Sequence, residues 1–373
     1  MRILMIIDGL PGGGAEKVVL TLCQGMRILG HEISLLSLRN ICYYPIPIGI
    51  GYQVLETLNH PFSWLRFLTK SQQQAYQLRQ IIQKKEQNEG QFDLIFSHLH
   101  HTDRIVSSAN LLSGKKIWYC VHSMLSTSYL NHRHGLSRWI KKRKIMKVYQ
   151  GKNILAVSKA IEEDLIYNFS ILPNQLAIIH NPFNISYILN QSNKHCNLPP
   201  KPYLIHVGRF HPTKRHDRLL EAYAQSNIPA FLVLVGTGNK KQVKKITELI
   251  EQLSISHKVI LTGFQDNPYP LIKNAVMLIL SSDSEGFGNV LVEALLCGTP
   301  VISTCCPGGP KEILTEAGED RALTELNSNS LAKKMIETYL SPPPPLNIQK
   351  LIKYDLLPIC KQYLNLVKIN YKL

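Results

Sequence analysis

Two glutamates separated by seven residues, Glu285 and Glu293, bracket a glycine turn in Ser284-Glu285-Gly286-Phe287-Gly288-Asn289-Val290-Leu291-Val292-Glu293-Ala294. The turn follows an apolar run and opens a helical pattern near Asn289. Bare amides at a helix start, backed by the positive end of its dipole, bind anions. Gly286 and Gly288 let backbone approach a ligand closely. Glu285 lies in the loop and Glu293 about one turn into the helix, so two carboxylates can reach different parts of one elongated ligand. A carboxylate accepts two hydroxyl hydrogen bonds, from a hexose or a ribose. The same letters also fit an ordinary helix start with two solvated glutamates.

A second cluster is His206-Val207-Gly208-Arg209-Phe210-His211-Pro212-Thr213-Lys214. Arg209 and Lys214 flank a turn after a strand, where two cations can neutralise a departing diphosphate; a plain surface loop is the competing reading. The chain has no Asp-x-Asp, the usual carboxylate pair for a nucleotide-bound divalent metal, and Asp283-Ser284-Glu285 is its nearest approach. The glycine turn Asp8-Gly9-Leu10-Pro11-Gly12-Gly13-Gly14-Ala15-Glu16 is not a P-loop, because Ala-Glu follows Gly14 where that motif needs Lys and Ser or Thr. Its amides can still meet a phosphate or an acceptor. His122 closes an apolar run at the carboxyl edge of a sheet. His98, His100 and His101 follow another run, with no carboxylate or thiolate at ligand spacing to complete a metal site, and read as loop histidines.

The segment from Ser284, with its continuation Cys306-Pro307-Gly308-Gly309-Pro310-Lys311-Glu312-Ile313-Leu314, resembles the Glu, seven residues, Glu signature of retaining glycosyltransferases of the GT-B, family-four type. The continuation is similar to a version found among transferases that build bacterial lipopolysaccharide, capsule and lipid-linked oligosaccharide. That resemblance implies that Glu285 holds the donor sugar's hydroxyls, that the run Gly286 to Val290 lies on sugar and diphosphate, and that Glu293 holds the ribose. It implies diphosphate roles for Gly208, Arg209 and Lys214, a loop at Gly13 and Gly14 facing diphosphate and acceptor, and a His122 that contacts the sugar. Gly263-Phe264 looks like the turn that contacts the base, and fits a plain βα turn as well. The implied reaction is metal-independent transfer with retention of a hexose or N-acetylhexosamine, from a nucleotide sugar (a UDP-sugar above all) to a glycan or lipid-linked acceptor. No cofactor is expected. The acceptor hydroxyl attacks from the leaving group's side and the β-phosphate takes its proton.

These residues need a scaffold that brings loops to one edge. Short apolar runs alternate with longer helical stretches: Ile3 to Ile7, a helix Ala15 to Leu29, then strands at Glu32 to Leu38, Leu94 to Ser97, Lys116 to Val121 and Asn153 to Val157. The rhythm restarts at Tyr203 to Val207, Ala230 to Val235, Val259 to Thr262, Val276 to Leu280 and Pro300 to Ser303. Alternation of this kind predicts βαβ units and parallel sheets. Two Rossmann-like α/β domains are therefore expected, the GT-B arrangement: 1–185 for the acceptor, joined by a crossover helix over 348–373, and 186–347 for the donor. Asn181 to Pro202 carries four prolines and marks the boundary, and Pro342 to Pro345 marks a second break.

Composition narrows the partners. Hydrophobic residues make up 45% of the 373 and charged ones 18%, which excludes a disordered chain. The net charge of +16 points to phosphate-bearing partners. No acidic residue occurs from 104 to 161, and within that span Leu136 to Lys147 mixes Trp139, Ile140 and Met146 with dense cations. A basic amphipathic helix on an anionic bilayer and a core helix with a solvated face both fit. Nucleic acid is not expected, since no recognised module is present. The eight cysteines form no C-x-x-C pair, which suits reduced thiols in a cytoplasmic protein. Neither a signal peptide nor a spanning helix is expected. Two further readings stay open: a nucleotide-sugar epimerase or hydrolase of this architecture, and a non-catalytic basic membrane-binding protein. Asn40 to Trp64 and Ser123 to His134 carry no legible motif.

Overall fold

The computed structural model describes residues 1–55, 66–111 and 116–369. Part of the Asn40 to Trp64 loop and the last four positions of 348–373 lie outside them. The chain divides into two compact units, Met1–Pro182 with Leu356–Leu373, and Phe183–Asp355. Residues 348–355 thus belong to the second unit, eight residues beyond the expected break. Phe183 N donates to Tyr354 O at 2.8 Å, and the Tyr354 ring packs on Phe183 and Phe287 at 6.5 and 5.4 Å.

The first unit is built on seven parallel strands: β1 (Arg2–Ile7), β2 (Glu32–Ser37), β3 (Gly51–Val54), β4 (Leu94–His98), β5 (Ile117–Val121), β6 (Asn153–Ala156) and β7 (Gln175–Ile178). Their spatial order is β3-β2-β1-β4-β5-β6-β7. Ile3 sits opposite Ile33 on one side and Leu94 on the other. Ile3 through Ile7 are fully buried, as expected for central parallel strands covered by helices on both faces. Edge strands β3 and β7 were not expected; their residues are mostly half-buried or exposed, so they show no apolar run. The helix Leu356–Ile369 packs on Gly14–Ile28 at Gly25, where a Cβ would stand 2.5 Å from Cys360 Sγ.

The second unit has β8 (Tyr203–Val207), β9 (Phe231–Val235), β10 (Val259–Gly263), β11 (Met277–Leu280), β12 (Val301–Thr304) and β13 (Leu323–Thr324), in the order β10-β9-β8-β11-β12-β13. Leu204, Leu232, Leu234, Ile279 and Ile302 form the centre of its core. Burial of each stabilises the fold by about 1.5–3 kcal/mol. In both sheets the strand order reverses once, between β1 and β4 and between β8 and β11. Such switch points open a crevice at the carboxyl ends of the strands, where ligands of doubly wound sheets bind.

The basic segment forms a helix, Gly135–Tyr149, with two apolar faces rather than one. Ile145, Val148 and Tyr149 are buried against the unit. Leu136, Trp139 and Ile140 stand 70%, 52% and 40% exposed on the opposite side, in line with Arg143 and Lys147. At 100° per residue, Leu136, Trp139, Ile140, Arg143 and Lys147 share one face, and Ile145 lies half a turn away. The inner side is that of a core helix, and the outer side mixes apolar with basic residues instead of being wholly polar. Among the described residues no helix is long and apolar enough to cross a membrane.

Candidate functional site

The second unit's switch point gathers the sequence candidates. Arg209 and Lys214 lie in the connection after β8, Ser282 to Gly288 in the connection after β11, and the two strands are neighbours. A short 3-10 turn, Pro212–Lys214, begins at His211, whose ring nitrogen accepts from Thr213 N, and ends at Arg215 in the left-handed region with φ +49°. This turn aims Lys214 across the switch point. Its ammonium donates to both oxygens of Glu285, at 2.6 and 2.8 Å, with the two side chains 23% and 10% exposed. The ammonium carries three donors, so one remains for a ligand. Arg209 is exposed and makes no side-chain hydrogen bond or ion pair with the described residues.

Several residues that hold this pair were not legible in the sequence. Ser282 donates its hydroxyl to Glu285 Oε1, and Thr304 Oγ1 donates to Ser282 O at 2.7 Å, tying the loop to β12. Asp283 is held by Arg218 at 2.6 Å and by Arg215 at 3.1 Å, and Arg218 is buried. Both carboxylates of Asp283-Ser284-Glu285 are therefore ion-paired within the protein. The only sequence signal for this support was the polar run Ser281-Ser282-Asp283 directly after an apolar strand.

Two glycines are required by the backbone. Gly288 takes φ +98° as the residue before the helix Asn289–Leu296. Gly308 takes φ +125°, and a Cβ there would lie 1.9 Å from the backbone oxygen of Glu285. The Cys306 to Gly309 turn thus packs directly beneath the glutamate loop, with Glu285 N donating to Pro307 O at 3.0 Å. Gly286 and Val290 are half-buried in the same stretch, and Asn289 opens the helix. The Phe287 side chain, in contrast, is core, packed on Phe183 and Tyr354. Glu293 is buried one turn into the helix and accepts from Tyr269 OH at 3.2 Å.

Gly208 donates to Val235 O and Gly236 donates to Gly263 O, which ties together the carboxyl ends of β8, β9 and β10, and the β9–β10 register shifts by one residue between Leu261 and Gly263. Phe264, just after β10, is 45% exposed and offers an aromatic face. His206, in β8, donates Nδ1–H to Ile279 O at 2.8 Å, and burial pushes its pKa down to about 4.

In the first unit the glycine turn and β4 flank the other switch point. Gly13 precedes the helix Gly14–Ile28, and a Cβ on it would lie 2.2 Å from the Glu16 carboxylate. The protein's own acid therefore stands beside the amides expected to face a phosphate. The histidines after β4 are not in a loop. His98 ends the strand, His100 and His101 begin the helix His100–Ala109, and Leu99 between them turns the chain at φ +76° with no connecting loop. His98 Nδ1 lies 2.9 Å from His122 Nε2, and His98 Nε2 lies 3.4 Å from Met5 Sδ. Burial pushes His122 down to about 4 and His98 well below the usual range. Beside them, buried Asp103 accepts from Ser97 Oγ at 2.6 Å and Tyr149 OH at 2.7 Å. Burial lifts its pKa to about 8 against the pull of these two bonds. An open cavity of about 1280 Å³ nearby is lined by Asp8, Arg39, Tyr52, Lys70, His101 and Arg104. Among the described residues no group of three or more His, Cys, Asp or Glu could hold a metal ion.

The chain is similar to known proteins along most of its length. Residues 12–187 match the family model for Glycosyltransferase Family 4, and residues 190–353 match that for Glycosyl transferases group 1. The chain is 29% identical over 350 residues to the N-acetylgalactosamine-N,N'-diacetylbacillosaminyl-diphospho-undecaprenol 4-alpha-N-acetylgalactosaminyltransferase of Campylobacter jejuni, across 89% of each protein. It is 30% identical over 171 residues to the lipopolysaccharide 1,6-galactosyltransferase of Salmonella typhimurium, 43% of this chain and 45% of that one. The crystal structure of Anabaena Alr3699/HepE in complex with UDP superposes with a TM-score of 0.68 at 20% identity, over 99% of this chain and 97% of that one. At that identity the likeness speaks for the fold.

Proposed function

We propose a reaction for a chain that belongs to glycosyltransferase family 4 and has the two Rossmann-like domains of the GT-B fold. It moves a hexose or N-acetylhexosamine from a UDP-sugar to a lipid-linked or lipopolysaccharide glycan, with retention and without metal. The observation that carries this reading is the Lys214–Glu285 pair bridging β8 and β11. At a switch point, one carboxylate and one cation with spare valence suit a ligand that is hydroxylated at one end and anionic at the next.

In this reading Glu285 accepts from the sugar hydroxyls. The third N–H of Lys214 and the guanidinium of Arg209 take the departing diphosphate, aided by the start of the helix Asn289–Leu296. Glu293 receives the ribose hydroxyls, with Tyr269 holding its other side, and Phe264 stacks on the base above Gly263. With the charge of the leaving group met by two side chains and a helix dipole, no divalent ion is needed. Because Glu285 is already bound by Lys214 and Ser282, it positions the sugar and does not act as a nucleophile. The acceptor then attacks from the leaving-group side, and the β-phosphate takes its proton. The UDP in the HepE complex and the lipid-diphosphate acceptor in the name of the Campylobacter relative support the substrate classes.

The acceptor lies in the first unit, where Arg39, Lys70 and Arg104 suit a phosphate-bearing glycan. An acceptor held by a lipid brings the enzyme to a bilayer. The outward face of the helix Gly135–Tyr149 fits one, because its apolar trio can enter the headgroup layer while Arg143, Lys144 and Lys147 each add about 1 kcal/mol against anionic lipid. Flotation with vesicles rich in phosphatidylglycerol tests this: Leu136→Ser with Trp139→Ser should abolish it, and unchanged flotation would remove the membrane from the account.

Thermal melting tests the donor site. UDP should raise the midpoint of the intact protein, and Arg209→Ala should weaken that effect. An enzyme that hydrolyses or epimerises its donor would turn over UDP-sugar with no acceptor present, which the transferase reading forbids.

A further inference from the structure

We infer that Arg218 is a positioning residue for sugar transfer, a fork that holds the backbone from which both Lys214 and Glu285 project. The inference rests on the donor-site reading and adds to it the residue that keeps the pair in place. Lys214 and Glu285 stand on different connections, so their meeting depends on how those two backbones are joined. They are joined twice. Asp283 N donates to Thr213 O at 2.8 Å, and Ser281 Oγ donates to Lys214 O at 2.8 Å. Both joints fall in the stretch Ser281 to Asp283, directly after β11.

Arg218 grips that stretch at its two ends. It lies in the helix His216–Ser226 and is 5% exposed. Its Nη1 donates to Ser281 O at 2.8 Å and its Nη2 to Asp283 Oδ1 at 2.6 Å. One rigid planar group thus spans a carbonyl and a carboxylate. An ammonium, a single point of charge on a flexible stem, does not reproduce that geometry. Arg215 cannot take over. It reaches Asp283 at 3.1 Å, but its Nε and Nη2 already bind Asp217 at 2.8 to 3.0 Å, and among the described residues its side chain bonds only these carboxylates. Between the two gripped residues, Ser282 carries the constraint onward by donating its hydroxyl to Glu285. A buried cation stripped of its carboxylate is costly, so the stretch cannot slip without breaking a charged pair.

Arg218 itself meets neither sugar nor diphosphate in this account. It acts through the loop, on the placement of the carboxylate and the ammonium. A misplacement of about 1 Å in such groups can cost about 10² in rate. The remaining contacts to the nucleotide stay as they are, so the loss belongs in kcat and not in KM.

The test is Arg218→Lys in the full chain, assayed for transfer and for amide hydrogen exchange. We expect kcat to fall about ten- to a hundredfold, with the donor KM within about threefold and UDP still raising the melting midpoint. The Asp283 amide, which bonds Thr213 O, should exchange about tenfold faster or more. Tyr223→Phe is the control for a loosened helix, because it removes a bond of 2.6 Å to Ala230 O from the same helix; its kcat should be unchanged. Full kcat in Arg218→Lys, a loss carried by KM alone, or an equal loss in Tyr223→Phe would each overturn the inference. So would a lower kcat with unaltered exchange at Asp283, since the loop would then not be the route. If Arg218→Lys does not fold, Asp283→Asn keeps an oxygen for Arg218 and removes the charge; kcat should fall about three- to tenfold there, and an unchanged value would overturn the inference. Faster exchange in Arg218→Lys, from a wild type that neither responds to UDP nor transfers sugar, would keep the clamp and reject the donor site.

Discussion

Lys214 and Glu285 form a pair that should be measurable as a coupling energy. The perturbation is Lys214→Met, Glu285→Gln and the two combined. With Lys214 23% exposed and Glu285 10% exposed, the pair sits between a surface bridge, worth up to about 1 kcal/mol, and a fully buried one, whose breaking costs about 3–5 kcal/mol. Lys214→Met leaves a nearly buried carboxylate with Ser282 as its remaining side-chain support, so a loss of about 2–3 kcal/mol is expected. Glu285→Gln leaves a more exposed cation next to a neutral amide and should cost about 1–2 kcal/mol. The double variant leaves no unpaired charge and should lose about 1–2 kcal/mol less than the sum of the two single losses. Urea unfolding gives the three differences. Transfer assays on the same proteins should behave differently, because removing one group that meets charge in the transition state costs about 10²–10³ in turnover. Stability recovers in the double variant and activity does not. Coupling indistinguishable from zero would refute the pairing, and near-wild-type transfer by the double variant would refute the donor role.

The remaining expectations concern pH and backbone. Burial depresses the pKa of His98, and of His100, His122, His206 and His216 to about 3, 4, 4 and 2. The unfolded chain binds protons at these sites from about pH 6.5 downward while the folded one does not, so stability is present above about 6.5 and lost on acidification. Asp103 has the opposite sign: its pKa is raised to about 8, so the folded state holds the extra proton and loses stability as pH rises through that value. Five sites against one predict falling urea midpoints below about pH 6.5. Asp103→Asn should flatten the limb above it, and an unchanged limb would contradict the raised pKa of this buried acid. Gly308→Ala should cost about 3 kcal/mol or more, since it combines a left-handed φ with backbone collision. Gly298→Ala, at φ +77° with open space around it, should cost about 1 kcal/mol; equal losses would dismiss the collision.

The central strands were readable because buried parallel strands need apolar residues on both faces, as Ile3–Ile7 and Tyr203–Val207 have. Strands β3, β7 and β13 were not, since an edge strand held mainly by backbone pairing leaves little mark on side-chain types. Glycine and charge in the β8 and β11 connections announced the site's outer residues. Ser282, Arg218 and Thr304 were silent, because a hydroxyl or guanidinium that braces a loop looks in sequence like any other. The histidines after β4 were misplaced in a loop because no pattern rule foresees a left-handed Leu99. The helix Gly135–Tyr149 was readable as basic, but its two apolar faces appear only once the buried side is known.

The most direct test is a transfer assay in excess EDTA with a panel of UDP-sugars and a lipid-diphosphate-linked glycan, reading the product's anomeric configuration by NMR. Undiminished transfer with the donor's α configuration retained is the expected result. Loss of activity restored only by a divalent ion, or a β-linked product, would contradict a metal-free donor site centred on Arg209, Lys214 and Glu285.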